Sequence, residues 1–287
     1  MRGEATMRIA LSGVLALLVL LLVSDPLAAG YEESPDSTAE ALGYVRVPIN
    51  VSLFPGVSIG ETVARGRKIV NHVSLNVIAG RAARLEGLEC GVGWNDYSKS
   101  ASGLQLSGII NRVMGSTFGV QCAGAGNAVG GGLQGLQLAG LGNAVSGGVA
   151  GAQWAGLGNA VSGSVTGAQW AGLGNAVSGN VIGGQWAGLG NAVSGRLVGA
   201  QWAGLGNAVS GNAVGAQWAG LGNAVSGSLI GAQWAGLGNA VTRGLIGAQW
   251  AGFGNAASGG LIGAQWAGFG NAVSKGLIGA QWAGAAN

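Results

Sequence analysis

The stretch "GAQWAGLGNAVSGSVT", Gly151 to Thr166, starts again at Gly167 and recurs with few changes to the end of the chain. Counted from its opening Gly, the same phase reaches back to Gly87, giving twelve full repeats of sixteen residues and a nine-residue remnant, with no insertion. The ninth position is Asn in every copy: Asn95, Asn111, Asn127, Asn143, Asn159, Asn175, Asn191, Asn207, Asn223, Asn239, Asn255, Asn271 and Asn287. The third is Gln in all but the first copy, which has Glu89. The fourth is Trp at Trp154, Trp170, Trp186, Trp202, Trp218, Trp234, Trp250, Trp266 and Trp282, and Cys90, Leu106, Cys122 and Leu138 in the earlier copies.

A period that never slips means that each unit meets its neighbours in the same way, which is the logic of a solenoid or array. Helix is disfavoured, because each sixteen contains three to six glycines, at about 1 kcal/mol apiece relative to Ala. Strands fit better. Sixteen is even, so a residue on one sheet face keeps that face in every copy. The variable triplets "SGS", "SGN", "SGR", "TRG" and "SKG" collect in one place and read as a solvent-exposed turn.

Two β architectures compete. In a parallel β-solenoid each repeat is one coil, and like residues stack about 4.8 Å apart. Asn and Gln side chains can then hydrogen-bond along ladders, which satisfies amides that are costly to bury singly. The alternative is an antiparallel outer-membrane β-barrel with one strand per repeat, since Leu229 to Val241 is an uncharged segment long enough to cross the apolar band. That alternative sets Trp at mid-strand rather than in interfacial girdles and makes every turn alike. It also puts successive Asn residues at alternating heights. The expectation is therefore an all-β parallel solenoid of sixteen-residue coils over residues 87–287, behind a β-rich cap.

The region before the repeats divides by composition. Arg2 and Arg8, the apolar run Ile9–Val23 and the small residues Ala28, Ala29 and Gly30 read as a signal peptide over residues 1–29, with Met7 an alternative start. Residues 30–42 are acidic and polar and read as a flexible mature N-terminus. Residues 43–86 alternate apolar and polar, with a turn at Pro55-Gly56, and read as half-buried strands forming the lead-in cap. These features predict an exported chain at the cell surface or outer envelope, with a periplasmic or secreted location also open.

The spacing G-[AVL]-Q-[WLC]-x-G-x-x-N resembles a family of bacterial, spirochaete-type surface-repeat proteins. The lead-in "VPINVSLFPGVSIG", "NHVSLNVIAG" and "LEGLECGVGWN" is similar to theirs, so the resemblance covers about Val47 to Asn287. It implies an exported, envelope-associated protein and carries no enzymatic role. The chain departs from that family in its Trp column and in lacking a lipid-accepting Cys. Curli-type amyloid repeats are similar only in amide stacking.

Chemistry is sparse. Net charge is +3, charged residues make up 8% of the chain, and the basic residues form no cluster, so nucleic acid is not an expected partner. No Asp or Glu follows Asp96, and from Gly151 onward only Arg196, Arg243 and Lys275 are charged. His72 is the single histidine and reads as a surface residue rather than a base or ligand. Glu86, Glu89, Asp96 and Tyr97 read as a polar cap on the first coil rather than a catalytic group. No catalytic residue, cofactor or metal site is expected, and the chain does not read as an enzyme. Cys90 and Cys122 share a column two coils apart, about 9.6 Å, beyond the roughly 7 Å a disulfide spans; they are expected to be unpaired.

The Trp column is either a core stripe or an outward binding stripe. The function expected is structural or adhesive, a long uniform surface for multivalent contact or self-association. Partners would be the chain itself, end-to-end or side-by-side, or the cell envelope or a polysaccharide. A membrane pore, a glycan-binding Trp array and a curli-like amyloid are the alternatives.

Overall fold

The computed structural model describes residues 43–287; the expected signal peptide and mature N-terminus lie outside them. The chain divides after Ala155 into two compact units, each built from the same coil.

The N-terminal unit opens with β1 (Tyr44–Phe54), β2 (Val57–Ser58), a short helix α1 (Ile59–Ala64), β3 (Lys68–Asn76), β4 (Ala79–Gly91) and β5 (Trp94–Ser107). β2 turns back antiparallel on β1 through Pro55-Gly56, with Gly56 at φ 95°. β1, β3, β4 and β5 then pair in parallel, in that order. The helix departs from the all-strand expectation, and its signal lies in "SIGE". Ser58 caps it by accepting the Glu61 N–H at 3.1 Å, the serine-to-acid spacing of a capping box. Glu61 reaches back to the Gly56 N–H instead of to its own cap residue.

From β5 onward the architecture is the expected one: a parallel β-solenoid. After β5, which runs through both segments of its coil, short strands of four residues alternate with long strands of seven, such as Gly174–Val177 and Val165–Ala171. Each pairs in parallel with its copy sixteen residues on, so Gly meets Gly, Gln meets Gln and Asn meets Asn. This register excludes the antiparallel barrel, whose neighbouring strands alternate in direction.

Glycine makes the coil possible at two columns. The repeat-opening Gly takes φ of 130–140° in most coils, a region L-residues rarely adopt, and a Cβ there would overlap the carbonyl oxygen of the coil before. The Gly that ends the long strand's outward turn, such as Gly204, meets the equivalent carbonyl of Gly188 in the same way. Close backbone approach, rather than flexibility, explains the glycine content.

The core between long and short strands is half apolar and half amide. Val177, Val193, Val209 and Val225 from the short strands meet Val181, Leu197, Ala213 and Leu229 from the long ones, all almost fully buried. The Gln column is 0% exposed through the C-terminal unit's interior coils, and Asn is nearly so. Buried amides at that density survive only because each has partners.

Candidate functional site

The two amide columns form continuous hydrogen-bonded rows within each unit, and the rows run in opposite senses. Each Asn Nδ2 donates forward to the next Asn Oδ1, as Asn191 does to Asn207 at 2.9 Å and Asn207 to Asn223 at 2.9 Å. Its second N–H goes to a backbone carbonyl of the next coil, as from Asn207 to Trp218 O at 2.7 Å. Each Gln Nε2 donates backward, as Gln217 does to Gln201 Oε1 at 2.7 Å.

Backward donation requires an acceptor where the Gln row begins, and Glu89 supplies it. Gln105 Nε2 donates to Glu89 Oε2 at 3.1 Å, and Asn76 Nδ2 to Glu89 Oε1 at 2.6 Å. Asn76 also donates to Asn95 Oδ1 at 2.8 Å and so starts the Asn row. Sequence reasoning missed Asn76 because it lies nineteen residues before Asn95, outside the sixteen-residue phase. Burial pushes the Glu89 carboxyl up to about 7; the hydrogen bonds from Gln105 and Asn76 and the nearby Tyr97 hydroxyl oppose the rise, and the neighbouring Asp96 adds to it.

The residues read as a polar cap therefore separate. Glu89 is 1% exposed and Tyr97 is 1% exposed, both facing the core. Tyr97 occupies the column that later holds Val113 and Val129. Its hydroxyl lies among Glu89, Asn71 and Ser74 without a fully formed hydrogen bond, and desolvation raises its pKa well above the usual phenol value. Asp96 pairs with Arg81 at 3.1 Å, and Glu86 lies 3.5 Å from Arg46 and 3.9 Å from the half-exposed His72. Glu86 thus sits with Arg46 and His72, Asp96 with Arg81, and Glu89 with Asn76 and Gln105. Among the described residues no three His, Cys, Asp or Glu side chains gather as a metal site.

The Trp column points outward. Strand alternation puts Gln inside and its neighbour Trp outside, so the buried amide row dictates the exposed aromatic one. From Trp170 to Trp282 successive indoles stack with centroids 4.7–4.9 Å apart and planes within 7°. At Gly184, where most repeats have Ala, the Trp186 ring fills the space a Cβ would take, so the indole leans along its own strand. The second residue of each long strand points outward and is Ile or Val from Ile182 to Ile278 (Thr166 in the strand before), and an outward Leu or Phe follows the strand; Ile230, Ile246, Leu237 and Phe253 are all about half exposed. The outer long-strand face of the C-terminal unit carries no charge, since Arg196, Arg243 and Lys275 all sit in the turns between coils.

In the N-terminal unit the same column holds Cys90, Leu106 and Cys122. Being smaller, these side chains leave a groove of 680 Å³ lined with Leu75, Val77 and Val92. Both cysteines are free thiols with Leu106 between them in register.

No protein-family model, no curated protein and no solved structure matches the chain. The resemblance to the surface-repeat proteins thus rests on the repeat spacing and the lead-in alone.

Proposed function

We propose that this chain is an exported, envelope-associated structural or adhesive protein that acts by multivalent apolar contact. One observation carries the reading: an uncharged outer face of Ile, Ala, Trp and Leu, repeated coil after coil in the C-terminal unit. Contiguous exposed apolar patches beyond a few hundred Å² mark contact sites in soluble proteins. Identical weak contacts along a row sum by avidity, without any single strong site. The signal-like residues 1–29 support export.

The glycan-array reading has less support. Sugars stack on aromatic faces, yet from Trp170 to Trp282 each indole face between neighbours is covered by the next ring. The amyloid-like reading loses its need for many chains, because the amide rows close within a single one. Deleting whole repeats such as Gly199–Val214, one, two and three at a time, tests the proposal. Retention on isolated cell envelopes should fall more steeply than in proportion to repeats removed. Retention independent of repeat number would refute it.

A further inference from the structure

Resting on the reading of this face as a contact surface, we propose that its partner is a second copy of the chain, docked long-strand face to long-strand face. Area is the first argument. The C-terminal unit has eight long strands of seven residues, from Val165–Ala171 to Leu277–Ala283. At about 4.8 Å between strands and about 3.3 Å per residue, the face measures about 34 by 23 Å, or about 780 Å². A stable interface covers about 800 Å² on each partner. The face matches that size without help from the turns.

Periodicity is the second argument. The indoles form a ridge with a rung every 4.7–4.9 Å, and the outward Ile and Val residues from Ile182 to Ile278 form a parallel ridge on the same strands. A second copy presents the same two ridges at the same pitch, so one rung that fits makes all of them fit. A lipid surface or an unrelated protein has no such spacing. Two such sheets packed face to face lie about 10 Å apart, as in a β-sandwich.

Charge is the third. Arg196, Arg243 and Lys275 would repel their counterparts if they stood on the face, but all three lie exposed in the turns at its margin. The face itself sets no like charges against each other. Docked in this way, the apolar columns of two chains become one dry layer, and multivalent contact becomes self-association.

Sedimentation of the full chain over a wide concentration range tests this, with Ile230→Arg/Ile246→Arg as the interface variant. Both residues are about half exposed on the long-strand face, so the coil loses no buried group. The wild type should form dimers or larger multiples. The variant should weaken association by on the order of a hundredfold or more, with an unchanged far-ultraviolet circular dichroism spectrum. Ala224→Arg, on the outer face of a short strand, should associate like the wild type. Three outcomes overturn the second-copy proposal: a wild type monomeric throughout, an unaffected double variant, or an Ala224→Arg variant that dissociates. A monomer that co-sediments with phosphatidylcholine–phosphatidylglycerol vesicles or binds envelopes overturns only the choice of partner. A monomer that binds neither also removes the contact-surface reading beneath it.

Discussion

Glu89 is a carboxyl buried at the origin of both amide rows, and its effect on stability is calculable. The carboxyl moves from an ordinary 4.5 to about 7 on folding, chiefly because burial removes it from water. A raised carboxyl pKa means that the folded state holds the proton more tightly than the unfolded state. Its stabilising contribution is therefore complete below 4.5, falls as pH rises from 4.5 to about 7, and stays lost above that. At 1.36 kcal/mol per unit the loss is about 3 kcal/mol. Glu89→Gln removes the titration. Its amide keeps an oxygen for one donor but turns an NH₂ toward the other, Asn76 or Gln105, at a cost of about 1–3 kcal/mol. The expected signature is the pH dependence of the difference rather than its absolute size. Denaturant unfolding of both proteins, at about pH 4 and about pH 8, should show the wild type losing about 3 kcal/mol relative to the variant. Parallel stability curves would show that Glu89 does not titrate in the core, and the account of how the Gln row begins would fail.

Other consequences follow from the rows and the stack. Asn207→Ala removes bonds to Asn223, Trp218 and Asn191, stranding three buried groups at about 1–3 kcal/mol each. Denaturant unfolding should register a loss of about 3 kcal/mol or more, and less than about 1 kcal/mol would contradict the row as a stabilising element. The stacked indoles should couple electronically and give an exciton couplet in circular dichroism. Trp218→Leu deletes one ring but two stacked pairs, so the couplet should shrink by more than one ring's share; a strictly proportional fall would mean that the rings do not stack in solution.

Much of this molecule was readable from spacing. The even period and the unbroken Asn column required parallel coils in register, because only stacked copies satisfy so many buried amides. The direction of Trp was equally implied and easily misread. Hydrophobicity alone sends Trp inward and Gln outward. Adjacent residues on a strand face opposite ways, however, so with Gln185 buried in its amide row, Trp186 must be outside. What spacing did not reveal breaks the period. Asn76 starts a row from outside the phase, and α1 is a single capped helix in a segment that otherwise alternates like a strand. Glu89 stood out in sequence as the exception in the Gln column. Its role became clear only when the donors proved to point back toward it.

The opposed sense of the two amide rows bears on how such a tract can change length. An α-helix aligns its peptide dipoles one way, which leaves about half a positive charge at one end and half a negative charge at the other. Here every added coil brings one side-chain amide pointing each way, and their polarities cancel within the increment. Gain or loss of a repeat would therefore add no net side-chain amide polarity to the tract, whatever the number of coils.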